Sequence, residues 1–156
     1  MSAARPAGRP PRIEIHPLRA GDRVRWEVLA RGYKTFYKTT LAPSEYDEAW
    51  RRLMKAEAVH GLGAHLDGHL VGIAHYLFHP SVWMHDVCYL QDLFVDVAAR
   101  GHGVARALIG RVADIASTRG APRLYWLTAE DNAVARRLYD KVGQFRGFIR
   151  YDHPLS

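Results

Sequence analysis

Arg100-Gly-His-Gly-Val-Ala-Arg-Ala-Leu-Ile-Gly110 (RGHGVARALIG) follows closely on the run CYLQDLFVDV, Cys88 to Val97. The run is mostly apolar, as a central strand is. Beyond the glycines, Val104, Leu108, Val112 and Ile115 recur at i, i+4, i+8 and i+11, an amphipathic stripe that Gly120 and Pro122 bring to an end near Thr118. The junction is therefore strand, tight turn, helix. A helix start carries unpaired N–H groups and a partial positive charge, which suits an anion. Gly101 and Gly103 have no Cβ, so positive φ costs little and a ligand can approach the backbone. Two readings stay open on these residues alone, a sharp turn or an anion site flanked by Arg100 and Arg106. A Walker A loop would need Gly-Lys-Ser/Thr, and a dinucleotide fingerprint three glycines after the first strand of a βαβ unit; neither is present.

Outward from this junction the pattern mixes both periods. IEIHPL, Ile13 to Leu18, alternates like a half-buried strand. A helix is expected from about Asp22 to Lys38, with Asp22 as N-cap and Val24, Val28 and Leu29 on one side. APSEYDEAWRRLM contains a second helix start, with Ser44 three residues ahead of Asp47 in capping-box spacing. GAHLDGHLVGIAHYLF, Gly63 to Phe78, reads as a hairpin turning at Asp67-Gly68. RLYWLTA, Arg123 to Ala129, is the next strand, followed by a helix from about Asn132 to Val142 that Gly143 stops. FRGFIRYDHPLS closes the chain as one more strand or a hairpin. Strands in a row, then strands alternating with helices, indicate a mixed α/β sheet.

The 156 residues suffice for one domain, expected over residues 13–156, behind a disordered basic tail at 1–12. Of the net charge of +6, half comes from Arg5, Arg9 and Arg12 in that tail, and the rest is dispersed. Charge so distributed, with no stacking motif or groove-reading helix beside it, argues against nucleic acid as a specific partner. No apolar run reaches the roughly 18 residues that a membrane span requires. The single cysteine, Cys88, excludes an internal disulfide framework and fits a cytoplasmic location. None of the nine histidines stands at a metal-ligand spacing, so no metal is expected; His75 and His79 are given no role.

The residues from Tyr89 to Gly143 resemble a known family. Arg100-Gly-His-Gly103-Val-Ala105 fits the Q/R-x-x-G-x-G/A signature of the GCN5-related N-acetyltransferases, YLQDLFVD looks like their central strand, and LTAEDNAVARRLYDKVG matches their later strand–helix motif at Asn132, Ala135, Leu138, Tyr139, Lys141 and Gly143. The resemblance implies a central mixed sheet of about six to seven strands flanked by about four helices. It implies acetyl-CoA as co-substrate, bound by Leu93, Phe94 and Val95 along the pantetheine arm and by the amides of Arg100, Gly101, His102, Gly103, Val104, Ala105 and Arg106 at the pyrophosphate. Asn132, Ala135 and Tyr139 join this set, and Asn132 is also an N-cap by composition.

For the chemistry, the resemblance puts Tyr139 at the position of the general acid that protonates the thiolate leaving group; as a residue on an apolar helix face it is equally a core aromatic. The similar polyamine acetyltransferases carry Glu-Asp in the central strand where this chain has Gln91-Asp92. Gln91 cannot take a proton. Asp92 is left to pair with a substrate ammonium or to assist a water relay, unless it is only an acid on a solvated strand face. Alternation predicts that Gln91 and Asp92 face opposite ways. Trp83 and His85, in the loop before the strand, are candidate acceptor contacts, Trp83 as a wall and His85 also as a candidate base. The expected reaction is direct acetyl transfer in a ternary complex to a primary amine, either a small molecule such as a polyamine or amino acid, or a protein lysine or N-terminus. A silent acyl-CoA-binding module is the non-enzymatic alternative. A homodimer is implied by the family.

Overall fold

The structure, a computed structural model, describes residues 8–156. Of the basic tail expected over 1–12, residues up to 7 lie outside the described residues. Gly8 to Pro11 is exposed and irregular, and Arg12 already exchanges backbone and side-chain hydrogen bonds with Asp67 (both 3.1 Å). Two compact units follow, divided after Trp126.

The first unit is a five-stranded sheet in the order β1 (Ile13–Pro17), β2 (His60–Leu66), β3 (His69–His79), β4 (Val87–Val95) and β5 (Leu124–Tyr125). The first four strands are antiparallel neighbours, and β5 joins β4 in parallel over Cys88 and Tyr89 only. Helices α1 (Arg23–Phe36) and α2 (Pro43–Lys55) lie between β1 and β2 in the chain, and α3 (Val104–Thr118) makes the crossover from β4 to β5. The hairpin turns at Asp67 and Gly68 with φ of 49° and 86°, the pair of positive values that a two-residue type I′ turn demands. The second unit, residues 127–156, holds α4 (Ala133–Val142).

The fold is the mixed α/β class expected, with four α-helices but five strands among the described residues. The missing strands are specific. Phe145 to Ser156 carries no strand, although it is rich in apolar and aromatic residues, because such a segment becomes a strand only where a neighbour accepts its backbone groups. The strand expected over Arg123 to Ala129 is reduced to Leu124–Tyr125.

Helix faces also differ in places from the expectation. In α1 the buried residues are Trp26, Leu29 and Ala30, whereas Val24 and Val28 are exposed. Asp22 gives its carboxylate to the N–H of Arg19 (2.8 Å), closing a short 3-10 turn ahead of α1 rather than capping α1 itself. α2 starts one residue before Ser44: Pro43 opens it, and Glu45 reaches back to the N–H of Ala42 at 2.7 Å. Asp47 instead pairs with Arg23 at 2.6 Å. By contrast, the stripe of α3 is as read, with Val104, Leu108 and Val112 buried and Ile115 half-buried.

Trp26, Leu29 and Ala30 of α1 join Tyr46 and Leu53 of α2, Leu70 and Ile73 of β3, and Leu18 in one apolar cluster. It fixes α1 and α2 over one face of the sheet. Arg25 extends that tie by donating to the carbonyl of Leu70 (2.9 Å) and pairing with Asp96 just past the end of β4.

Candidate active site

The β3–β4 ladder breaks register once. His75 pairs with Asp92 and Tyr76 with Leu90, which leaves Gln91 as the extra residue of a bulge. The strict alternation expected for this strand therefore fails at the pair it was meant to separate. Gln91 and Asp92 both line a cavity of about 460 Å³ bounded by α1, α2 and the β3–β4 floor.

Asp92 sits in this cavity with its side chain 20% exposed. Its Oδ2 lies 2.9 Å from Nδ1 of His75, and Nε2 of the same ring lies 3.0 Å from Nε1 of Trp26. An indole nitrogen can only donate. Nε2 is therefore the acceptor, and Nδ1 carries the proton and donates it to Asp92. Burial pushes the Asp92 carboxyl up. The hydrogen bonds from His75 and the Tyr33 hydroxyl, with the charge of Lys34, hold the group below the ordinary range. Burial and the neighbouring Asp92 push the Tyr33 hydroxyl strongly up, so it stays protonated as a donor.

The other carboxylates of the cavity are committed to α2. Glu45 serves the Ala42 N–H. Glu48 is held at about 2 by its hydrogen bond to Arg51, with Arg52 at 3.2 Å adding its charge. Lys34 contributes a cation to the wall, and Trp26, Leu53 and Ile73 make it apolar.

Leu93, Phe94 and Val95 continue β4 beyond Asp92 and pair with Ala74, Ile73 and Gly72 on the β3 side. β5 reaches only Tyr89 on the opposite edge. From β4 a short 3-10 turn (Val97–Ala99) leads to the glycine stretch; Asp96 caps it by accepting from Ala98 (3.1 Å), and Arg100 returns to the carbonyl of Val95 (3.3 Å). Gly101 and Gly103 have φ of 86° and 77°, and a Cβ on either would meet nothing within 4 Å. Gly103 starts α3, and no side chain caps that end. His102 is exposed, Val104 buried, Ala105 half-buried and Arg106 exposed. The first-turn amides thus border open space, with Arg106 exposed on the same turn and Arg100 turned back toward Val95 and the Phe94 ring; bare amides at a helix start are a donor set that fits a pyrophosphate.

In the second unit, Asn132 caps α4. Its Oδ1 accepts from the N–H of Ala135 (3.4 Å), and its Nδ2 donates to Oγ1 of Thr128 (3.1 Å). Ala135 and Tyr139 are half-buried on α4, and Gly143 ends it in extended backbone. Trp83 and His85 are exposed on the β3–β4 connection and do not line the cavity.

Sequence reasoning missed His75, Tyr33 and Trp26. His75 looked like one histidine among nine, and its partner is 17 residues away on another strand. The only available signal was its place on an otherwise apolar strand.

A family model described as the acetyltransferase (GNAT) family matches residues 26–144. The chain is 33% identical over 135 residues to the D-amino-acid N-acetyltransferase HPA3 of Saccharomyces cerevisiae, covering 84% of each. Among solved structures it is similar to a ribosomal-protein-alanine N-acetyltransferase from Brucella melitensis biovar Abortus 2308, with a TM-score of 0.79, 26% identity, and coverage of 92% of this chain and 100% of that one. It also shares its fold with AAC(6')-Iy in complex with a bisubstrate analog, CoA-S-monomethyl-acetylneamine (TM-score 0.82, 17% identity, 93% and 99% covered).

Proposed function

The chain belongs to the acetyltransferase (GNAT) family and is an N-acetyltransferase, and on that premise we propose that it acetylates the primary amine of a small molecule from acetyl-CoA. The observation that carries this reading is the uncapped start of α3 at Gly103, bordered by open space and joined by one short 3-10 turn to the strand that bears Asp92. Acetyl-CoA brings the acetyl group as a thioester. The amides from Gly101 to Arg106 hold its pyrophosphate, with Arg100 and Arg106 adding charge, and the backbone of Leu93, Phe94 and Val95 lines the pantetheine arm. Asn132 and Ala135 belong to the same cofactor set by family position.

The acceptor occupies the cavity over Asp92. Its ammonium meets that carboxylate, which supports proton removal before the amine attacks. Tyr139 is the acid that protonates the leaving thiolate. The presence of Lys34 in the wall, while Glu45 and Glu48 are spent on α2, favours an amino-acid-like acceptor over a polyamine. Residues 13–156 act as one catalytic domain, in keeping with a family match that spans both compact units. A homodimer in the cytoplasm completes the reading, supported by the exposed apolar Phe148, Ile149 and Tyr151 and by the lone buried Cys88. Trp83 and His85 contact the acceptor only if the β3–β4 connection moves.

Coenzyme A release across a panel of amines tests it. Tyr139→Phe lowers kcat by about 100-fold with acetyl-CoA binding kept, the scale of a lost general acid. Gly103→Glu abolishes acetyl-CoA binding, because its carboxylate takes the place of the phosphate. Tight acetyl-CoA binding with no turnover of any amine overturns the enzyme reading. Unchanged affinity in folded Gly103→Glu moves the phosphate site elsewhere.

A further inference from the structure

We propose that His75 is a positioning residue for the acetyl transfer: Trp26 locks its ring in the tautomer that donates to Asp92, which keeps that carboxylate's charge free for the acceptor ammonium. The inference rests on the reading of the cavity as the acceptor site.

The direction of the chain follows from donor chemistry alone. Trp26 Nε1–H has no acceptor capacity, so at 3.0 Å it requires a bare Nε2 on His75. The ring proton then lies on Nδ1, 2.9 Å from Oδ2 of Asp92. An imidazolium at this position would have no lone pair for the indole, and the buried N–H of Trp26 would lose its partner. The lock is rigid because Trp26 is 2% exposed in the main apolar cluster. The bulge at Gln91 holds His75 directly across the ladder from Asp92.

The consequence concerns charge. A cationic histidine beside Asp92 would pair with it and cancel the field that an ammonium needs. A neutral donor fixes the same carboxylate geometry and leaves its charge uncancelled. The titratable and charged groups around the ring and cavity are Tyr33 and Lys34 from α1, Glu45, Tyr46, Glu48 and Arg52 from α2, and Asp92 from β4. Of the three carboxylates, Glu45 and Glu48 are occupied by a backbone N–H and by arginines. Asp92 is bonded by His75 and by the neutral hydroxyl of Tyr33.

Nitrogen-15 NMR of the full-length wild-type protein reads the tautomer directly. The expected result is one neutral Nδ1–H ring for His75 at pH 7; a ring protonated at Nε2, or at both nitrogens, at that pH overturns the proposal. Kinetics supply the functional arm. His75→Leu raises the amine KM by about 30-fold and leaves the acetyl-CoA KM unchanged, as loss of a hydrogen bond to a charged group predicts. His75→Asn, whose amide N–H stands close to the place of Nδ1, recovers to within about fivefold of wild type. Trp26→Phe removes the lock, so the same NMR measurement finds the His75 proton no longer confined to Nδ1 at pH 7. Thermal melting separates these effects from misfolding. Equal losses in His75→Leu and His75→Asn, or an unchanged His75 tautomer in folded Trp26→Phe, overturn the proposal. Absence of turnover by the wild type on every amine overturns the enzyme reading instead, while the NMR result still decides the tautomer.

Discussion

Two histidine–aspartate contacts lie in the first unit, His65 with Asp22 at 3.2 Å and His75 with Asp92 at 2.9 Å. Both pairs are largely shielded, with side chains between 11% and 20% exposed. What separates them is the second ring nitrogen. Nδ1 of His65 is buried with no hydrogen-bond partner among the described residues, and the ring stacks on His16 at 4.3 Å. Its aspartate is also spent locally, since Oδ2 of Asp22 accepts from the N–H of Arg19. In the other pair both ring nitrogens are bonded, and the aspartate opens on a cavity. One pair staples the turn before α1 to β2; the other orients an acid toward a ligand space. The same two residue types thus take opposite roles according to what lies beyond them.

The comparison breaks most sharply in activity. Asp92→Asn is expected to lower kcat/KM for the amine by about 100-fold, within the range of a lost proton-handling group. Asp22→Asn should stay within about twofold in the same coenzyme A release assay. Equal effects would erase the distinction.

Stability should sort the pairs the other way. Asp22→Ala removes the bond to Arg19 and the partner of His65, and is expected to cost about 1–2 kcal/mol in urea unfolding. Cys88 reports the same loss chemically. Its thiol is buried and pushed up to about 11, chiefly by burial, so it reacts slowly with a disulfide reagent at pH 8. Modification that requires opening should speed up by about tenfold in Asp22→Ala, matching that loss, and should change little in Asp92→Asn.

Acid supplies the smallest test. The folded Asp92 carboxyl lies below its ordinary value, so its contribution to stability is present above about pH 4 and fades as pH falls through the folded value. The unfolding free energy of Asp92→Asn should therefore fall less steeply than that of wild type between about pH 5 and 3. An identical slope would mean that the carboxylate is not held ionised by its neighbours.

Much of this was legible before any coordinates. The Asp67-Gly68 turn, the stripe of α3, the positive-φ glycines and the Asn132 cap are local, each specified by residues a few positions apart. The misreadings came from local signals that more distant partners overrode. The pattern read for α1 sets Val24 and Val28 on the buried face with Leu29, but Leu29 is buried with Trp26 and Ala30 instead, and the bulk of Trp26 turns the two valines outward. Ser44 and Asp47 have capping-box spacing, yet Pro43 opens the helix earlier and Glu45 takes the reach-back role. Phe145 to Tyr151 has strand-like composition without acquiring a strand partner.

The sequence by itself determined the glycine loop proposed for the acetyl donor, because a helix start and two glycines carry their chemistry in consecutive residues. Only the tertiary structure decided the cavity proposed for the acceptor. Trp26, His75 and Asp92 meet across a helix and two strands, and a one-residue bulge at Gln91 shifts the alternation that would otherwise turn neighbouring side chains apart. A hydrogen-bond chain of that kind depends on packing between elements distant in the chain, and no local spacing encodes it.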